Sequence, residues 1–432
     1  MSRFKTGRGH WKRVLAWLVL IVLVLALVLL LIGWISRWWS NRGPVQQVQA
    51  TPEQLERGRY LAAAADCAAC HTATGGAPYA GGVPMPTQFG TIHGTNVTPD
   101  PDTGIGRYTA DDFFHALTKG EARDGHQLYP AMPYVSYKHI ARADSDAIYA
   151  YLMNQPAVRQ DNKKNSVAFP ANIRTVLHGW NLLFAGAEAR SASQGASPAW
   201  QRGRYLVETL GHCGECHSPR GALGQVDRDR PLAGNKQLGR YATPDISPPG
   251  LAARGWDAAM LHSYLGTGIS ARAVASDEML MVVNLSTSRL NAADLSAMTT
   301  YLLGDQPAAP KSVAMPTGVA ADSPGQRHYL ALCAGCHGRD GEGVPNVAVS
   351  LRENSSVRDA DPHNLIVAIL DGLPEHDFPG LARMQDMPGF AADLDDAEVV
   401  ALSSWLRQRY GGQTAAVDAS TVRKLRDSKQ SH

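Results

Sequence analysis

Three copies of one five-residue pattern contain every cysteine of this 432-residue chain. In each copy two residues separate two cysteines, and a histidine directly follows the second cysteine: Cys67-Ala68-Ala69-Cys70-His71, Cys213-Gly214-Glu215-Cys216-His217 and Cys333-Ala334-Gly335-Cys336-His337. Two thiols one helical turn apart can each bond covalently to one side of a porphyrin, and the adjoining imidazole can then ligate its iron. The pattern predicts three covalently bound c-type haems with His71, His217 and His337 as iron ligands.

Two other chemistries use a Cys-x-x-Cys pair, namely zinc knuckles and redox-active dithiols. A single copy of the pattern would leave both open. Here the three copies account for all 6 cysteines, and histidine follows the second cysteine each time. This regularity favours haem attachment over the other two sites.

Methionine thioethers are the predicted sixth ligands of the three irons, because a thioether raises the potential and closes the site to small substrates. In the first copy we expect Met132, which lies in irregular chain between Pro130 and Pro133. In the second copy the spacing from Gly268 favours Met279 over Met281.

The third copy offers two signals that disagree. Spacing from Gly372 favours Met384, whereas Met387-Pro388-Gly389-Phe390 repeats the Met-Pro-aromatic pattern that follows Met132. We prefer Met387, because loop length varies more readily between repeats than the surroundings of a ligand.

Helical patterns surround each haem motif in the same order. A short helix precedes the motif at residues 55–65, 200–210 and 325–332, although the glycine of the third lies earlier relative to its tyrosine. A second helix ends in Gly120, Gly268 or Gly372, and a third begins with an acidic turn. This repetition predicts an all-α fold of three class I cytochrome c domains.

An uncharged apolar run at residues 14–36 is long enough to cross a bilayer. Basic residues dominate before it and tryptophans follow it, which predicts a cytoplasmic N-terminus and haem domains in the periplasm, at the inner membrane. A cleaved signal peptide is the alternative, with Val48-Gln49-Ala50 as its cleavage site, but the run is longer than such peptides usually have. The chain is thus predicted to begin with a transmembrane anchor.

The expected organisation follows from these patterns and from the Pro-rich stretches between them. The predicted segments are a cytoplasmic basic segment at 1–13, the anchor at 14–36, cytochrome c domains at 51–156, 199–306 and 324–412, linkers at 157–198 and 307–323, and a polar tail at 413–432.

The first linker contains apolar residues at helical spacing. They are Ile173, Val176, Leu177, Trp180, Leu183 and Phe184. This helix either packs on its own domain or forms a docking surface for a partner or the membrane.

Composition excludes several function classes. A formal net charge of +2 gives no basic footprint for nucleic acid. The chain has no dinucleotide fingerprint, phosphate-binding loop or metal-hydrolase motif. We therefore expect no catalytic residues for substrate oxidation in this chain.

Several further motifs resemble the triple-haem cytochrome c subunit of membrane-bound bacterial dehydrogenases. They are Phe89-Gly90-Thr91-Ile92, Thr95-Asn96-Val97-Thr98-Pro99-Asp100, Leu128-Tyr129-Pro130-Ala131-Met132-Pro133-Tyr134, Gly179-Trp180-Asn181-Leu182-Leu183-Phe184 and Met387-Pro388-Gly389-Phe390. One departure is Asp245, where that family more often has asparagine.

The resemblance implies a role. Electrons would pass from an alcohol-, aldehyde- or sugar-acid-oxidising partner subunit of molybdenum, quinoprotein or flavin type, through three haems, to ubiquinone or a terminal oxidase. Two alternatives are a tethered carrier between a quinol complex and an oxidase, and a multihaem peroxidase with one open iron site.

Overall fold

The computed structural model describes residues 7–40, 44–186, 197–236, 239–311, 322–380 and 383–429. Contacts divide the chain into two compact units. The first comprises Met1–Arg59 and Cys70–Ala189, and the second comprises Tyr60–Ala69 and Arg190–His432. The second unit holds both of the last two motifs, so three separate domains remain a prediction.

The apolar run lies within one long helix, α1 (Gly7–Ser40). Its stretch Arg13–Ile32 is long and apolar enough to cross a membrane, and none of it is buried in the protein. Residues 1–6 of the predicted basic segment lie outside the described residues.

The first unit combines short helices with a small antiparallel sheet in the strand order β1-β2-β3. Its helices after α1 are α2 (Pro52–Ala64), α3 (Cys67–His71), α4 (Ala110–Lys119), α5 (Tyr134–Tyr137), α6 (Arg142–Met153) and α7 (Val176–Phe184), of which α2 and α3 extend into Tyr60–Ala69. Its strands are β1 (Pro84–Thr87), β2 (Gly90–His93) and β3 (Ser166–Val167). The β2–β3 pairing brings Gly90 opposite Val167, so the predicted first linker completes the sheet.

The second unit contains two similar series of helices. The first series is α8 (Pro198–Arg204), α9 (Gly214–His217), α10 (Pro248–Ala253), α11 (Ala258–Thr267), α12 (Asp277–Leu285) and α13 (Ala292–Leu303). The second series is α14 (Pro324–His328), α15 (Ala334–His337), α16 (Ser355–Arg358), α17 (His363–Asp371), α18 (Asp396–Gly411) and α19 (Ala419–Lys429). Single π-helical turns at Tyr205–Leu210 and Tyr329–Cys333 lead into the second and third motifs, and Thr287–Arg289 forms a 3₁₀ turn.

The fold is not purely α-helical. Besides the three-stranded sheet, β4 (His376–Asp377) and β5 (Arg383–Met384) form a hairpin in the second unit. The tail also differs from a polar extension, since Val422 and Leu425 of α19 are buried in the core of the third repeat.

A glycine in the first helix of each repeat lets α2, α8 and α14 cross α6, α13 and α18 at very short range. A Cβ atom at that glycine would lie within 2.3 Å of a carbonyl oxygen of the helix that it crosses. The pairs are Gly58 with Ala147, Gly203 with Ala297 and Gly325 with Ala401. Gly325 thus makes the same contact as the other two, and its earlier position in the sequence does not change the packing.

The predicted glycine terminations are confirmed in all three repeats. Helices α4, α11 and α17 end at Gly120, Gly268 and Gly372, whose φ angles are 64°, 77° and 75°. A left-handed residue at this position satisfies the last helical carbonyls and redirects the chain. Each helix therefore stops at the point where the segment with the candidate methionine begins.

Replacing Gly325 by alanine is expected to destabilise the second unit by about 1–3 kcal/mol, because the added methyl group would overlap the Ala401 carbonyl. Chemical denaturation measures the loss. Gly335→Ala is the matched control: a Cβ there meets no atom within 4 Å, and the first motif already has Ala69 at this place. Equal midpoints for the two variants would contradict the proposed helix contact.

Candidate haem-binding sites

Each Cys-x-x-Cys-His motif ends in one short helical turn. These are α3, α9 and α15, and each ends at the motif's histidine. Helical spacing places the two cysteines of a motif on the same side of the turn. None of the six cysteines, all of which are described, forms a disulfide.

The three motif histidines share one hydrogen bond. Nδ1 of His71 lies 2.6 Å from the Thr95 carbonyl oxygen, Nδ1 of His217 lies 2.8 Å from that of Pro244, and Nδ1 of His337 lies 2.9 Å from that of Val349. A carbonyl oxygen only accepts, so Nδ1 is the protonated nitrogen and donates. Nε2 then has the lone pair that a metal needs, and the ring is held in one orientation.

Burial lowers the pKa of all three histidines, while the hydrogen bond to the carbonyl acts in the opposite direction. Desolvation disfavours the charged imidazolium. A neutral imidazole is the form that ligates a metal, so the environment of each ring suits it to iron at neutral pH.

At each site a glycine with a positive φ angle is hydrogen-bonded to the backbone of the motif histidine. The N–H groups of Gly81, Gly234 and Gly343 donate to the main-chain carbonyl of the motif histidine over 2.7–2.8 Å. Their φ angles are 81°, 81° and 75°. A Cβ atom at any of them would lie within 2.9 Å of the backbone of the loop that holds the Nδ1 acceptor. We call the histidine, the acceptor carbonyl and this glycine the proximal cradle.

Two of the acceptor loops are built alike. The Oδ1 atom of Asn96 accepts from the N–H and the hydroxyl of Thr98, at 2.9 and 2.7 Å. The Oδ1 atom of Asp245 accepts in the same way from Ser247, at 2.8 and 2.5 Å. The aspartate that departs from the family pattern therefore forms the same turn that asparagine forms in the first repeat.

A buried arginine links the acceptor loop of the second repeat to α16 of the third repeat. The guanidinium of Arg254 donates to the Asp245 carbonyl, next to the acceptor Pro244, and to Ser355 Oγ at 3.0 Å. The Ser355 N–H in turn donates to the Arg272 carbonyl at 2.7 Å. Hydrogen bonds of Arg254 and Ser355 thus join the second repeat to the third.

Met132 lies in irregular chain just before α5, as predicted. The Leu128 N–H donates to the Gly120 carbonyl at 2.7 Å, and Gly120 packs against the ring of Tyr134. The Met132 segment is therefore fixed on both sides by the helix-ending glycine.

Met279 lies in the first turn of α12, in a helix and not in an irregular loop. The Ala275 N–H donates to the Gly268 carbonyl at 2.7 Å, and Met279 follows Ala275 at the same interval as Met132 follows Leu128. Met279 also packs against a buried apolar cluster, whereas Met281 is 39% exposed. The repeated bond to the glycine supports Met279 over Met281.

Met387 and Met384 occupy different surroundings. The N–H and carbonyl of Met387 both bond to Leu373, at 2.8 and 2.9 Å, directly after Gly372. Met384 lies in β5 and, like Met279, packs on the cluster of Ala275, Leu280, Val283 and Phe378, so this packing does not distinguish the candidates. The backbone bonds that tie Met387 to the residue after Gly372 support Met387 as the ligand.

The donor set of each site fits a c-type haem. Two thiols and an imidazole with a fixed Nδ1 proton lie on one turn, and a thioether lies on a segment tied to the helix-ending glycine. Sequence reasoning missed the carbonyl acceptors and the cradle glycines, because the interval between histidine and glycine differs in every repeat. The repeated Asn96/Thr98 and Asp245/Ser247 pairs were the one available signal.

The chain is similar to known cytochrome c proteins. A family described as cytochrome c matches residues 55–156 and 323–409. The chain is 35% identical to the cytochrome c subunit of gluconate 2-dehydrogenase from Pantoea cypripedii, over 89% of this chain and 92% of that protein. It is 34% identical to the cytochrome c subunit of the quinone alcohol dehydrogenase from Gluconobacter oxydans, over 89% of this chain and 84% of that protein.

A third relative is longer than this chain. It is one of the subunits of nicotinate dehydrogenase from Pseudomonas putida, and it is 39% identical over 388 residues, which are 88% of this chain. The chain spans 32% of the length of that relative.

Changing Gly234 to alanine is expected to raise the reduction potential of one haem. The methyl group would displace the Pro244 loop, and a histidine that loses its Nδ1 acceptor donates less electron density to the metal. A spectroelectrochemical titration measures the shift. Gly304→Ala controls for backbone strain, because Gly304 has a φ of 88° but no atom within 4 Å of its Cβ position. Unchanged potentials in Gly234→Ala would rule out this role of the cradle.

Proposed function

The chain belongs to the cytochrome c subunits of membrane-bound bacterial dehydrogenases, and on that premise we propose that it carries electrons from a separate catalytic subunit, through three haems, to ubiquinone or a terminal oxidase. The observation that carries the proposal is the proximal cradle, which recurs at all three motifs. Covalently bound haem c supplies reversible one-electron transfer.

In this proposal one histidine and one methionine of this chain would hold the haem iron at each site. The pairs are His71 with Met132, His217 with Met279 and His337 with Met387. The cradle fixes the imidazole, and backbone bonds to Gly120, Gly268 or Leu373, at the end of the preceding helix, fix the methionine segment. Two strong protein ligands leave no position for peroxide or oxygen, which favours electron transfer over a peroxidase activity.

We further propose that α1 anchors the protein in the inner membrane, with its N-terminus in the cytoplasm and the haem sites in the periplasm. The support is its apolar stretch Arg13–Ile32, the basic residues before it and the tryptophans around its end. Haem attachment to Cys-x-x-Cys-His outside the cytoplasm agrees with this orientation.

Substrate oxidation belongs, in this proposal, to a separate catalytic chain. The relatives are named for gluconate, alcohol and nicotinate dehydrogenases, so the partner oxidises a small alcohol, aldehyde, sugar acid or related compound with a molybdenum, quinone or flavin cofactor. This chain supplies the electron acceptor of that reaction.

A genetic experiment tests the electron-transfer role. Deleting this chain is expected to abolish substrate-dependent oxygen consumption by membranes, while the partner still reduces an artificial dye. Re-expressing the full chain restores respiration. Membranes that lack the chain and respire normally on every substrate of the copurifying dehydrogenase would contradict the proposal.

Substitution of the methionines tests the ligand assignment. Met132→Ala, Met279→Ala and Met387→Ala are each expected to convert one of the three haems to a high-spin form and lower its potential, because the thioether raises it. Covalent attachment should persist. Met281→Ala and Met384→Ala are the matched controls and should leave all three haems low-spin; a high-spin haem in either control would reassign that ligand.

A further inference from the structure

The segment that leads into α7, together with α7 itself, concentrates apolar side chains at the surface of the first unit. Phe169 is 78% exposed, Leu182 83% and Leu183 69%. Ile173 and Val176 are also exposed, at 44% and 48%. We call these five side chains the α7 apolar face.

The opposite side of α7 carries the polar contacts to the protein. Asn181 accepts from the Tyr134 hydroxyl at 2.6 Å and donates to Gln127 Oε1 at 2.7 Å. Just before the helix, Arg174 donates to the Gln127 carbonyl at 2.7 Å and stacks on the ring of Tyr129 at 4.6 Å. Leu177 is the buried residue of the helix.

This arrangement reverses the usual amphipathic pattern. A helix on a water-soluble surface buries its apolar side and exposes its polar side. Here amide and guanidinium groups point inward and five large apolar groups point outward. Such a face requires an apolar surface to cover it.

Charge and tether length indicate what covers the face. Residues 169–186 contain no Asp or Glu, and their single Arg or Lys is Arg174, which points inward. The chain between the end of α1 at Ser40 and the start of α2 at Pro52 spans at most about 40 Å when fully extended. A bilayer that holds α1 is therefore always within reach of this unit.

We propose that the α7 apolar face inserts into the headgroup region of the bilayer that holds α1, as a second, shallow membrane contact. Its apolar side chains, with the half-buried rings of Trp180 and Phe184 in tilted contact at 5.3 Å between centroids, are typical of interfacial helices. The proposal rests on the proposed anchoring by α1. Asn181 of α7 is hydrogen-bonded to Tyr134, two residues after Met132. The membrane contact of α7 would therefore bring the first haem site close to lipid-soluble electron acceptors.

Site-directed spin labelling of the full chain in lipid nanodiscs tests this contact. The native cysteines are consumed by haem attachment, so a single introduced cysteine takes the label. Leu182→Cys reports on the α7 face. Leu25→Cys, in α1, is the control for lipid exposure, and Leu223→Cys, which is 53% exposed in the second unit, is the control for water exposure. Collision rates with oxygen and with a water-soluble nickel chelate are measured at each site.

The expected result is that the label at position 182 collides with oxygen more often, and with the nickel chelate less often, than the label at 223, at levels between those at 223 and 25. Nickel access at 182 equal to that at 223, with 25 still protected, would overturn the membrane contact and leave the anchor intact. Protection of 182 from both reagents would show that protein covers the face, which also overturns the proposal. Nickel access at 25 would instead contradict the anchor.

Discussion

The hydrogen bond from histidine Nδ1 to a backbone carbonyl is the constraint on which each site depends. It selects the tautomer, orients the ring and leaves Nε2 as the metal-binding nitrogen. The carbonyl lies in a loop, and loops hold a position only when their own backbone is tied down. At each site a left-handed glycine does this by bonding to the histidine carbonyl and lying flat against the acceptor loop.

Glycines also set the packing of the helices around the sites. Where α2, α8 and α14 cross α6, α13 and α18, a glycine brings the two backbones into contact, and this contact fixes the turn that carries the motif. Between the second and third repeats, Arg254 adds hydrogen bonds to the Asp245 carbonyl in the second acceptor loop and to Ser355 at the start of α16. A buried guanidinium costs desolvation energy unless it is well bonded, so this junction is specific in its geometry.

Much of this was predictable from the sequence, and the exceptions have physical causes. The motifs and the glycine-ended helices follow from local patterns whose internal spacing is constant, and the prolines around Met132 predict its place in irregular chain. The carbonyls of Thr95, Pro244 and Val349 were not predictable, because any residue supplies a carbonyl and only tertiary structure selects one. The packing of α19 against the core was not predicted, because its sequence is mostly polar and the buried side chains are Val422 and Leu425.

The central claim is that all three motifs carry a covalent haem held by the same cradle. Mass spectrometry of proteolytic peptides from the purified full chain tests it most directly, since Cys67/Cys70, Cys213/Cys216 and Cys333/Cys336 fall on separate peptides. The account predicts one haem on each of the three peptides and no unmodified thiol. A motif peptide recovered with both thiols intact, or with zinc in place of haem, would contradict it.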